Sequence, residues 1–157
     1  MGLTELQKEL LRLLKQVALE LGENGRALTG LIGELSACEL LGLNWQPSPG
    51  FDATGPSGEL IQIKSRKSWA TETINPRGRL SRFSKKGKYD FDHGIFVELD
   101  DRYEVVRIWQ LNVRQLEVLE FKEPKGNGLH VYTFRKAGAI VYPQGENKGS
   151  MMKQGTI

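Results

Sequence analysis

Four residues of this chain have the types and spacing that suit work on a phosphodiester: Glu34, Asp52, Gln62 and Lys64. A carboxylate and an amide oxygen on adjacent strands offer hard oxygen ligands to Mg²⁺ or Mn²⁺. Glu34, from a preceding helix, can add a third ligand, and the backbone carbonyl of Ile63 a fourth. Lys64 lies two residues beyond Gln62 and so projects from the same strand face. It can hold or activate an attacking water, or stabilise charge that develops on phosphorus. A metal held there would polarise a phosphoryl oxygen and make bound water more acidic.

These side chains meet only if the chain between them folds in one register. The segment PGFDATGPSGELIQIKSRK, residues 49–67, reads as two short strands around the turn Gly55-Pro56-Ser57-Gly58. Pro in second place and Gly in fourth suit a type I turn closed by a left-handed Gly, a three-residue loop with a bulge. Gly55 then pairs with Glu59, and Asp52 stands opposite Gln62. A two-residue loop would set Asp52 opposite Ile61, on the wrong face. Ile61 and Ile63 point the other way, into the core. Glu59 is a second acid on this hairpin, but its place beside the turn ranks it low as a ligand.

Around the hairpin, hydrophobic periodicity sets out the other elements. Leu3, Leu6, Leu10, Leu13 and Val17 define a helix over 3–21, widened by Leu14, Ala18 and Leu21. This stripe is expected to pack on its own domain in preference to a second copy. After a turn at Gly22 to Gly25, a second helix spans about 28–41. Thr29 is its expected N-cap, Gly42 its stop, and Leu31, Leu35, Cys38 and Leu41 its buried face, with Glu34 at the edge. A short strand is expected at 43–46, a short helix at 80–84, and strands at 92–99 and 103–110 with a turn at Asp100-Asp101. Asn112 caps a helix over 113–121 that buries Leu116 and Leu119. Strands are expected at 129–134 and 139–142. The expected organisation is a single domain over 1–142, with residues 143–157 as a flexible tail.

Charge is unevenly spread. Residues 1–63 carry four Lys/Arg and eight Asp/Glu, whereas residues 64–88 carry nine Lys/Arg against Glu72 alone. That concentrated block is the electrostatic footprint of a polyanion. Within it Arg66, Lys67, Arg77, Arg79, Arg82, Lys85 and Lys86 are the expected nucleic-acid contacts, with Trp69 available to stack on a base. No apolar run approaches the roughly 20 residues of a membrane span, and the start of the chain lacks the pattern of a secretory signal. Cys38 is the only cysteine, so no intrachain disulfide forms. A cytoplasmic location is expected. His93 and His130 have no partner at metal-ligand spacing and are expected to be structural. No GK[ST] phosphate loop is present, so ATP-driven chemistry is not indicated.

Glu34 in GLIGELSACELLGL, Asp52 in GFDATGPSG, and Gln62 and Lys64 in ELIQIKSRK together resemble the PD-(D/E)xK nuclease superfamily. The resemblance covers residues 28–98, about half the chain. It implies an α/β, restriction-endonuclease-like mixed sheet flanked by helices, here with an added N-terminal helix. It also implies Mg²⁺- or Mn²⁺-dependent hydrolysis of DNA, with metal and catalytic roles on Glu34, Asp52, Gln62 and Lys64. Gln62 departs from the usual Asp or Glu, which removes one negative charge and implies weaker metal binding. Pro49 is not adjacent to Asp52. Two such sites would cut two strands, so a homodimer fits this reading. Two rivals stand beside it: a non-catalytic nucleic-acid-binding module of the same fold, and an interaction domain that recruits a partner through its first helix.

Overall fold

A computed structural model describes residues 2–67 and 78–145. Arg77 and Trp69 therefore lie outside the described residues, as does the chain from 146 onward. The architecture is mixed α/β. The helices are α1 (Glu5–Leu21), α2 (Thr29–Leu41), α3 (Val113–Phe121) and α4 (Val131–Ala137). The strands are β1 (Asn44–Ser48), β2 (Phe51–Thr54), β3 (Leu60–Lys67), β4 (His93–Leu99), β5 (Val105–Asn112) and β6 (Ala139–Tyr142). All six strands form one sheet in sequence order. Only β3 and β4 run parallel, so the chain must cross over the sheet between them. No helix among the described residues is long and apolar enough to cross a membrane.

Each sheet face carries its own core. Ala53, Ile61 and Ile63 join Leu11, Ala18, Ile32, Leu35 and Cys38 beneath α1 and α2. Phe83, Phe96, Trp109, Leu116 and Phe134 fill the opposite face under α3, α4 and the crossover segment. β1 lies at a sheet edge, where Pro47, which has no N–H, removes no ladder bond from a neighbour.

Thr4 opens α1 with a capping box. Its hydroxyl accepts the Gln7 N–H at 3.1 Å, and its own N–H reaches Gln7 Oε1 at 2.9 Å. The helix is rotated from the expected packing. It buries Leu11 and Ala18 and leaves Leu6 at 80% exposure, with Leu13 and Val17 also exposed. Gly25 explains the rotation, because a Cβ there would lie 2.5 Å from the Ala18 carbonyl oxygen. Only two small residues allow that approach, so the Ala18 side turns inward.

A 3₁₀ turn over Gly22–Leu28 runs directly into α2. Thr29 is thus the first helical residue and not the N-cap, and the flanking Leu28 makes no side-chain cap. Gly42 ends the helix in the left-handed region at φ 67°. α2 is clasped between α1 and the sheet, and it buries Ile32, Gly33, Leu35, Ser36, Ala37 and Cys38. Gly33 brings it close to β3, since a Cβ at that position would collide with the Ser65 hydroxyl.

Two further expectations are overturned. Residues 80–84 form no helix. Arg79 bridges His130, and the chain then turns tightly at Lys85–Lys88, with left-handed φ at Lys86 (51°) and Gly87 (76°). The stretch 129–134 is not a strand. His130 flanks α4, which buries Val131 and Phe134 three residues apart, a spacing that a helix face satisfies. The Leu129–Phe134 apolar pattern is too short to separate the two periods.

Candidate active site

The hairpin register brings the expected residues together. Ala53 faces Ile61 and Thr54 faces Leu60. The Gly55 N–H donates to the Glu59 carbonyl at 2.9 Å, and that of Gly58 to the Gly55 carbonyl at 3.0 Å. Gly58 has φ 82°, the left-handed conformation the bulged turn requires. Continued one step, this register sets Asp52 opposite Gln62. There the ladder gives way to a side chain: Asp52 Oδ2 accepts the Ile63 N–H at 2.8 Å. In an antiparallel ladder a residue's N–H and C=O point to the same neighbour. The Ile63 carbonyl is therefore turned toward the side from which Asp52 reaches.

Glu34 approaches from α2. The Trp45 indole N–H, on β1, donates to Glu34 Oε1 at 3.2 Å. Burial pushes the Glu34 carboxyl up to about 7, the Asp52 charge adds to that, and Trp45 and Lys64 oppose it. Burial also raises Asp52, against the Ile63 N–H and the charges of Lys64 and Lys85. Burial lowers Lys64, partly offset by Asp52. The Lys64 ammonium lies 5.7 Å from the centre of the Phe83 ring. Gln62 is 6% exposed. Both carboxyls are thus raised chiefly by burial, and Glu34 also by the Asp52 charge, so a cation placed beside them would be favoured.

The donor set suits a hard divalent cation: one oriented carboxylate from Glu34, one from Asp52, the Gln62 amide oxygen and the Ile63 carbonyl. It contains two carboxylates. Among the described residues there is no group of three or more His, Cys, Asp or Glu side chains placed to share a metal. Any further protein ligand there would be a neutral oxygen, for which the Gln62 side chain and the Ile63 carbonyl are the candidates.

The expected nucleic-acid contacts separate into two kinds. Arg79 pairs with Glu123 at 3.0 Å and donates to the Gly128 carbonyl at 2.7 Å. Arg82 donates to the Glu120 carbonyl at 2.9 Å. These two arginines fasten the crossover segment to α3 and the chain beyond it. Arg66 Nη1 donates to the Arg79 carbonyl at 2.6 Å, and the Lys67 ammonium lies 4.2 Å from the centre of the Tyr103 ring. Lys85 and Lys86 are exposed on the tight turn, and the Lys85 charge acts on both Asp52 and Lys64. Lys85 is thus a neighbour of Asp52 as well as a surface cation.

Two residues that hold the site escaped sequence reasoning. No spacing in the sequence ties Trp45 to Glu34. Glu120 is fully buried and accepts the Phe83 N–H at 2.7 Å, the Ser84 N–H at 3.3 Å and the Tyr89 hydroxyl at 2.8 Å. It lies four residues after Leu116, and a charge on the apolar face of a helix was the signal that could have found it. Cys38 is buried, and its thiol is pushed up to about 12.

No protein-family model matches this chain, and no curated protein sequence matches it.

Proposed function

We propose that this chain is a metal-dependent nuclease of the PD-(D/E)xK type, acting on DNA. The observation that carries the reading is the Asp52–Ile63 hydrogen bond at 2.8 Å in a register that sets Asp52 opposite Gln62, with Glu34 and Lys64 close enough to shift it or be shifted by it. The order of elements agrees. α2 carries Glu34, three antiparallel strands carry Asp52 and Gln62-x-Lys64, and a crossover leads to the parallel strand β4. This order is the one that the restriction-endonuclease-like reading expects.

Glu34, Asp52, Gln62 and the Ile63 carbonyl would hold the cation, which when bound would supply Lewis acidity to the phosphoryl group. Trp45 and the Ile63 N–H fix the two carboxylates in position, as outer-shell donors do in metal sites. Lys64 directs its ammonium at the scissile phosphate and stabilises the charge that grows there. Its partial burial keeps that charge unscreened.

The test is a DNA cleavage assay with Mg²⁺, Mn²⁺ or chelator. Cleavage is expected with either metal and not with chelator. Asp52→Ala or Lys64→Ala is expected to reduce it by about 10³-fold or more. Cleavage that survives both substitutions overturns the site. Salt-sensitive DNA binding with no cleavage in either metal would replace this reading with the non-catalytic module.

A further inference from the structure

A cavity of about 430 Å³ opens between the Lys85–Lys88 turn and the C-terminal end of α3. Its walls include two aromatic residues, Tyr89 from the crossover segment and Phe121 from the last turn of α3. The two rings are held differently. The Tyr89 hydroxyl donates to Glu120 at 2.8 Å, and its ring meets Phe91 edge-on at 5.9 Å, so it is fixed in place. Phe121 is 88% exposed, more than any other large apolar side chain among the described residues. A ring so placed gains little from its own fold. Glu117, one helical turn before Phe121, lines the same cavity, so that face of α3 is turned toward it. Arg82 and Lys125 bring positive charge to walls that also carry Glu117 and Glu123. Arg82 gives a nitrogen to the Glu120 carbonyl, and Glu123 pairs with Arg79. Charges of both signs around two aromatic rings suit a flat, uncharged ligand with polar edges. The two carboxylates disfavour a phosphate.

We infer that this cavity receives an unpaired base of the nucleic-acid strand, stacked on Phe121. The inference rests on the nuclease reading for its choice of polymer. Every base has a π-face, and stacking on an aromatic side chain holds a base outside a duplex with little regard to sequence. Tyr89 gives the cavity a rigid aromatic wall, and the Glu117 carboxylate can accept from an exocyclic amino group. The place of the cavity suits a strand that also visits the acid cluster. Ser84, Gly87 and Tyr89, from the turn and its flanks, line it, while Lys85 in the same turn acts on Asp52 and Lys64. Lys85 and Lys88 each donate an N–H to the other's carbonyl at 2.9 Å, so the turn is about 5.5 Å wide at the backbone. Phosphates on one strand recur about every 3.4 Å along a duplex axis. A strand with a phosphate at Lys64 and Lys85 therefore spans the turn within a few nucleotides. A base inside a duplex is stacked on its neighbours, so the cavity selects strands with a base free to leave the stack.

The experiment measures binding of a single-stranded DNA oligonucleotide by fluorescence anisotropy in chelator, across a salt series. Phe121 is exposed, so its removal leaves the core untouched. Phe121→Ala is expected to weaken binding about tenfold. The slope of log K against log salt is expected to stay as in the parent, because lost stacking changes no counterion release. Phe121→Trp, which keeps an aromatic face, is expected to bind at least as tightly as the parent. Val118→Ala, at another exposed apolar position on α3, is expected to bind as the parent does. On an abasic oligonucleotide with the same number of phosphates, Phe121→Ala and the parent are expected to bind equally. Parental affinity of Phe121→Ala for the base-bearing strand overturns the site. So does an equal loss in Val118→Ala, a loss that persists on the abasic strand, or a parent that binds neither strand. Failure here, with Asp52→Ala still abolishing cleavage, removes the base site alone. Cleavage that survives Asp52→Ala removes the nuclease reading instead.

Discussion

Glu34 is partly buried and Glu120 fully, and they live in opposite surroundings. Glu120 is fully buried among donors: two backbone N–H groups, the Tyr89 hydroxyl, and Arg82 at 4.0 Å. Burial together with this carboxylate pushes the Tyr89 hydroxyl up to about 12. Glu34 has the Trp45 indole on one oxygen and a second acid, Asp52, for a neighbour. A carboxylate ringed by donors is a fastener, since each donor would be left unsatisfied without it. A carboxylate with one donor and an acidic neighbour, against which only Lys64 acts through space, is weakly compensated, and a bound cation would complete it. The two environments are linked, because Glu120 holds the segment whose Phe83 lies against Lys64 and whose Lys85 acts on Asp52.

The comparison can be broken most sharply at Glu120. Glu120→Ala strands three donors in the interior and is expected to cost about 3 kcal/mol, read as a shift in the urea midpoint. A loss below about 0.5 kcal/mol would show that Glu120 fastens nothing. The next effect is on the metal side. Gln62→Glu adds a charge to a ligand set with two carboxylates and is expected to raise cleavage at limiting Mg²⁺ about three- to tenfold. Complete loss of activity would remove Gln62 from the ligand set. The smallest effect concerns the proton on Glu34. Its folded value of about 7 lies above the ordinary 4.5, so between those values the folded chain keeps a proton that the unfolded chain has lost. This contribution to metal-free stability is full below about pH 4.5 and is lost as pH rises through 7. Glu34→Gln, scanned by thermal melting without metal, is expected to flatten that decline by a few degrees at most. A decline unchanged in the variant would place its origin elsewhere.

Much of the hairpin was legible because its determinants are local. Pro56 and Gly58 specify the turn, the turn specifies the loop length, and the loop length specifies that Asp52 meets Gln62. The caps at Gly42 and Asn112 were legible for the same reason. The extent of residues 80–91 was not, because their conformation answers to Glu120, some thirty residues later in the chain. The rotation of α1 was not, because its stripe is apolar over a wide arc and the choice between arcs falls to Gly25 and Ala18 packing at close range.

By itself the sequence determined the strand alternation, the turn chemistry and the concentration of basic charge after Lys64, each a property of neighbours along the chain. Only the tertiary structure decided which cations are free to meet a ligand. Arg79 and Arg82 look like Lys85 and Lys86 in the sequence, but the first two are bound to α3 and the chain around it, while the second two stand in solvent. Charge counts along a chain, but Coulomb interactions act across space, and the distances that decide them exist only once the chain has folded.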